Sequence, residues 1–78
     1  METIEERAET QLKAIEMAYS IKIQNKEDIA HLIAASIKDK RLVLIVCTSI
    51  NSWIASINIS GEVVIPSNIV SQFIDAVK

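Results

Sequence analysis

The sequence predicts a small two-layer α+β domain, with helices packed on an antiparallel sheet of three to four strands. Three observations lead to this fold class. Half of the 78 residues are apolar, which is ample for a globular core. Glycine and proline occur once each, which favours long regular elements joined by short loops. The twenty residues from Leu42 to Gly61 carry no charge and include stretches of strand-like alternation. The length predicts one domain, residues 1–78.

The first element is a helix over about 3–18. Ile4, Leu12 and Ile15 fall on one narrow apolar stripe at helical spacing. Thr3 and Glu6 have the spacing of a capping box, which favours a helix start at this point. We interpret this N-terminal amphipathic helix as a peripheral or partner-facing segment.

A strand over about 19–24 follows, because the pattern changes there to an alternation of apolar and polar residues. Continuation of the first helix is the alternative. Asn25 is a good N-cap for a second helix over about 26–38, with Lys38 and Lys40 near its C-terminal end. The apolar face of this helix consists of Ile29, Leu32, Ile33 and Ile37.

The uncharged stretch is long enough to cross a bilayer as a helix. Lys40 and Arg41 precede it, as in the basic flank of a membrane span. From Thr48 onward, however, Ser and Asn recur, and such residues lack partners in a lone span. The alternation predicts a β-hairpin instead, with strands over about 41–48 and 53–60 joined by a turn at 49–52.

The remaining residues predict one more hairpin turn, a strand and a helix. Gly61 can supply the positive φ of a two-residue turn after Ser60. A short strand follows over about 62–65, and Pro66 with Ser67 introduces a helix over about 68–77.

The pairing register of this hairpin predicts a second apolar face on the sheet, around Ser56 and Asn58. A fully solvated face does not have this composition. The N-terminal helix, another copy of the chain or a different protein is needed to cover it. The predicted partner-binding residues are Val43, Ile45, Cys47, Ile54, Val63 and Ile65.

Residues with catalytic or metal-binding chemistry are few. His31 is the only histidine and lies opposite the apolar face of its helix, where we interpret it as solvated. Cys47 is the only cysteine, so no intrachain disulfide forms, and its apolar neighbours indicate a buried, unreactive thiol. We predict no catalytic residue, no metal, no cofactor and no small-molecule substrate.

The one basic cluster consists of Lys38, Lys40 and Arg41, a candidate contact for phosphate or nucleic acid. A net charge of −2 makes general nucleic-acid binding unlikely. The predicted element order over 19–77 resembles, in topology alone, several small RNA-associated α/β subunits. One of these is the small dimerising subunit of tRNA threonylcarbamoyl-transfer complexes. This resemblance implies an alternative role as an accessory subunit of an RNA-modifying complex.

The sequence therefore predicts a small non-enzymatic protein–protein interaction module. It would act as a homo-oligomer, with a homodimer expected, or as a subunit or inhibitor of a larger complex. The acidic first residues do not resemble a targeting signal, so we predict a cytoplasmic location and no membrane partner.

Overall fold

The computed structural model describes residues 3–57 and 59–76. In this part of the chain the elements follow one another as α1 (Ile4–Tyr19), β1 (Ile21–Ile23), α2 (Lys26–Ser36), α3 (Lys40–Ile57), β2 (Gly61–Val63) and α4 (Ser67–Ala76). The predicted antiparallel sheet is wrong. The described chain is 75% helical, with four helices and one two-stranded parallel sheet.

Both ends of α1 have clear caps. The Thr3 side chain accepts a hydrogen bond from the backbone N–H of Glu6 at 3.1 Å, as the capping-box spacing predicts. At the other end Ser20 adopts the left-handed conformation, with φ 53°. Its N–H bonds to carbonyls of the last turn, so the chain turns out of the helix directly into β1.

The sheet pairs β1 with β2 in parallel, with Ile21 opposite Gly61 and Ile23 opposite Val63. Parallel neighbours need a long crossover, and here α2 and α3 supply it. The predicted strands over 19–24 and 62–65 thus overlap real strands, but no hairpin joins β2 to the residues before it. Gly61 has the expected positive φ of 94°, yet it opens β2 instead of closing a turn.

The predicted hairpin over 41–48 and 53–60 is replaced by α3, an unbroken helix of 18 residues. Asp39 starts this helix, because its carboxylate accepts the backbone N–H of Arg41 at 2.9 Å. The predicted second helix, over 26–38, ends at Ser36, so Lys40 belongs to the start of α3 and not to the end of α2.

The helix forms because Val46, Ile50 and Ile54 recur every four residues and bury one stripe of α3 against the fold. The apolar–polar alternation that predicts strands is present, but it covers fewer residues than the four-residue spacing of the buried stripe. No glycine or proline interrupts positions 42–57, so nothing in the backbone requires a turn at 49–52. Packing of the four-residue stripe overrides the β-propensity of the isoleucines and valines.

Helix α4 corresponds to the predicted helix over 68–77, and the Pro66 carbonyl accepts the N–H groups of its first turn. Phe73 is its buried anchor, whereas Ile74 is partly exposed. Asn58, which the sequence places on a sheet face, and the last position of the predicted helix over 68–77 lie outside the described residues.

The core lies where the inner face of the sheet meets the four helices. Helix α1 packs on α2, α2 on α3, and α3 on α4. The buried apolar side chains come from α1, both strands and α2 to α4, and α1 contributes Ala8, Leu12 and Ile15. The N-terminal helix is therefore part of this core, and the second apolar sheet face, for which it was one of three possible covers, is absent from the described chain.

Candidate interaction surfaces

The outer face of α3 is the side of this helix that points away from the core. Seven exposed side chains make up this face: Arg41, Leu44, Ile45, Thr48, Ser52, Ala55 and Ser56. Leu44 is 67% exposed and Ile45 is 37% exposed. Beyond Arg41 the face carries no charge over four helical turns, which is unusual for a solvated helix surface.

The structure separates the six residues predicted to form one binding face. Ile54, Val63 and Ile65 are buried in the core and inaccessible to a partner. Val43 and Cys47 are half-buried at the margin of the buried stripe of α3. Of the six, Ile45 alone is exposed, and it lies on the outer face of α3.

The two candidate reactive side chains lie on different helices, Cys47 on α3 and His31 on α2. Burial raises the pKa of the Cys47 thiol, so the thiolate that would react is disfavoured. His31 is exposed on α2. In the described part of the chain, no three His, Cys, Asp or Glu side chains are placed to hold a metal ion.

The basic cluster lies at the tight turn between α2 and α3. Lys38, Lys40 and Arg41 are all exposed there. Asp39 stands among them, but its carboxylate is engaged in capping α3. The positive end of the α3 dipole adds to the same region, which is therefore the most anion-attracting site on this helix.

An open groove runs between α1, β1 and α2. Small residues, Ala8, Ala30 and Ala34, line its apolar part. The rest of its lining includes five carboxylates and two ammonium groups: Glu5, Glu9, Lys22, Lys26, Glu27, Asp28 and Glu62. This mixture provides neither an apolar cavity nor a field of one sign, so the groove does not specify a ligand class.

The two edges of the sheet differ in a way that the sequence does not reveal. Glu16 of α1 closes the outer edge of β1, because its carboxylate accepts the N–H of Ile23 at 2.8 Å. The same carboxylate contacts the Lys26 ammonium at 3.2 Å. The outer edge of β2, by contrast, lies next to exposed side chains, of which Ile59 is 47% and Val64 is 54% exposed. Sequence reasoning missed this edge because it paired the strand over 62–65 with the strand over 53–60 in a hairpin.

By length and composition alone, α3 could cross a membrane. In this fold, however, one side of α3 packs in the core through Val46, Ile50 and Ile54. Its other side carries Thr48 and Ser52 among the apolar residues.

Comparison with protein-family models, with curated proteins and with solved structures finds no match for this chain. The functional argument therefore depends on the surfaces themselves. The topological resemblance to RNA-associated subunits loses its basis, because the strand–helix–strand–strand–helix order is not present in the described residues.

Proposed function

We propose that the chain is a non-enzymatic protein–protein interaction module and that the outer face of α3 holds its partner. The chain would act as a homo-oligomer, or as a subunit or inhibitor of a larger complex. One observation carries the proposal: α3 presents an uncharged outer face with Leu44 and Ile45 exposed.

The composition of this face supports protein binding. The centres of protein interfaces are depleted in charged residues, and the outer face has none beyond Arg41. Burying a leucine that is largely exposed is worth about 1.5–3 kcal/mol, so Leu44 would contribute substantially to binding. Thr48, Ser52 and Ala55 are small, which allows a partner to approach the helix closely.

A photo-crosslinking side chain at position 44 tests this proposal in the native cell. The matched control is the same side chain at Met17, which is 81% exposed but shares its surroundings with Lys13, Lys22 and Lys26. We expect a discrete crosslinked product at position 44 that is absent at position 17.

The mass of the product separates the two versions of the proposal. A product of twice the chain mass identifies a homo-oligomer, and a product containing another protein identifies a subunit or inhibitor. Equal crosslinking at positions 44 and 17 would contradict the role of the outer face of α3.

A second candidate is a nucleic-acid-associated accessory subunit. The observation that favours it is the exposure of Lys38, Lys40 and Arg41 at the start of α3. Phosphate contacts by these cations would give an affinity that falls steeply with salt. We expect retention on a polyanion column at low salt, reduced by Lys40→Glu more than by the matched control Lys13→Glu. No retention at low salt, or an equal effect of both variants, would exclude this candidate.

A further inference from the structure

The outer edge of β2 has unpaired backbone groups. Two bonds define the direction of the ladder: the Gly61 N–H donates to the Ser20 carbonyl, and the Gln24 N–H donates to the Val63 carbonyl. Gly61 and Val63 therefore direct their backbone groups toward β1, and the alternation along a strand directs those of Glu62 and Val64 outward. In the described chain, no hydrogen bond is formed by these outward groups.

The opposite edge of the sheet is partly closed by a side chain of α1. Glu16 accepts the outward N–H of Ile23. Beyond the last residue of β2, the Asn25 side chain bonds to both backbone groups of Ile65, at 2.7 Å and 3.2 Å. Side chains of the same chain thus bond to an outward group of β1 and to the residue that follows β2, whereas the outward groups of Glu62 and Val64 have no such bond. Open edges are where extended chains add to a sheet.

Apolar side chains flank this open edge. Val64 is 54% exposed, and Ile59, only two residues before Gly61, is 47% exposed. Two residues span at most about 7 Å, so Ile59 lies close to the start of β2. Ile57, at the end of α3, is also exposed. Proteins usually protect an exposed edge with charge or proline. Glu62 is the one charged residue of β2, and its carboxylate accepts a hydrogen bond from the Gln24 side chain at the end of β1, while Pro66 lies beyond the strand.

We propose that β2 pairs edge to edge with β2 of a second copy of this chain, antiparallel about a twofold axis. Glu62 of each copy stands opposite Val64 of the other, and the two Val63 residues meet at the axis. Each opposed pair then exchanges two N–H···O bonds, so four new bonds satisfy all the outward groups of both strands. This inference is independent of the proposed binding at the outer face of α3.

The side chains favour a second copy of this chain as the partner and fix the register in which the two β2 strands pair. Glu62 opposite Glu62 would bring two carboxylates together, which is unfavourable. Val64 opposite Val64 would set Glu62 against Pro66, which has no N–H to donate. The remaining symmetric register places Glu62 beside Val64, while Gln24 holds the Glu62 carboxylate toward β1 with a 2.6 Å bond. The strand is thus complementary to itself.

Amide hydrogen exchange on the full 78-residue chain, with light scattering over a concentration series, tests this pairing. We expect the molar mass to double as concentration rises, with slowed exchange of the outward amides of Glu62 and Val64. The amide of Gln24, which bonds within one copy, exchanges slowly at every concentration. Val64→Pro removes one outward N–H and should abolish the dimer. Val64→Thr keeps both that N–H and the branched side chain, so this variant should still form the dimer.

Each alternative result has a defined meaning. A chain that is still monomeric at about 1 mM, where any tighter association shows as dimer, overturns the proposal. A dimer in which the backbone amides of Glu62 and Val64 exchange freely with solvent also overturns the proposal. A dimer that dissociates in Leu44→Glu but persists in Val64→Pro also overturns the proposal, and it assigns self-association to the outer face of α3. If Val64→Pro does not fold, the amide exchange of the unaltered chain decides.

Discussion

Single side chains extend the backbone hydrogen bonding of the very short sheet. Asn25 stands at the N-cap position of α2, but its amide group makes no capping bond. It bonds instead to the N–H and the carbonyl of Ile65, in the position that another residue of β1 would occupy. Glu16 supplies the corresponding acceptor for Ile23. The side chains of Asn25 and Glu16 thus supply hydrogen bonds that backbone groups of a longer or additional strand would otherwise make.

We predict that Asn25→Ala destabilises the fold by about 1–3 kcal/mol, because the N–H of the buried Ile65 loses its acceptor. Urea denaturation measures this loss. Gln24→Ala is the matched control, since it removes an exposed side-chain bond to Glu62 and should have little effect. Equal losses for the two variants would contradict the assigned role of Asn25.

Helix α3 is the element on which the fold depends. Its buried stripe of Val46, Ile50 and Ile54 faces α2 and α4, so the uncharged stretch contributes core residues and exposed surface from one helix. A hairpin over the same residues would need a turn near Ser49 to Ser52, where the backbone is helical.

We predict that Ser52→Pro destabilises the protein by about 3 kcal/mol or more, because proline breaks a helix interior. Ser52 is exposed, so the effect comes from the backbone and not from lost packing. Ser52→Ala should slightly stabilise the fold, since alanine favours the helix. Thermal unfolding followed by circular dichroism measures both variants. Tolerance of proline at position 52, as in a turn, would contradict the helix.

At the scale of the whole molecule, α1 connects the parts of the core. It packs against α2 and β1, and the hydroxyl of Tyr19 at its end donates to the Asn51 carbonyl of α3 at 3.2 Å. A chain of this size buries a limited fraction of its surface, so the loss of one core helix is serious.

We predict that a chain starting at Ser20 does not fold, because Leu12, Ile15 and the Glu16 carboxylate are removed from the core and the sheet edge. Amide chemical-shift dispersion in NMR spectra measures this outcome. Lys13→Ala, an exposed substitution on the same helix, is the control and should fold normally. A well-dispersed spectrum from the shortened chain would show that α1 is a peripheral segment after all.

The sequence by itself determined the local features whose signals lie within a few residues. The Thr3 cap, the positive φ of Gly61 and the helix after Pro66 all depend on local chemistry. The absence of charge in Leu42–Gly61 likewise identified the stretch that supplies the buried stripe and the uncharged outer face of α3.

Only the tertiary structure decided whether that stretch forms a hairpin or a helix. Val43, Val46, Ile50 and Ile54 fit helical spacing, while Trp53, Ala55 and Ile57 fit alternation, and local propensity does not choose between them. Packing on α2 and α4 chose the helix. That choice moved Ile54 into the core, left Ile45 outside and exposed one edge of β2, because burial depends on contacts between residues far apart in the chain.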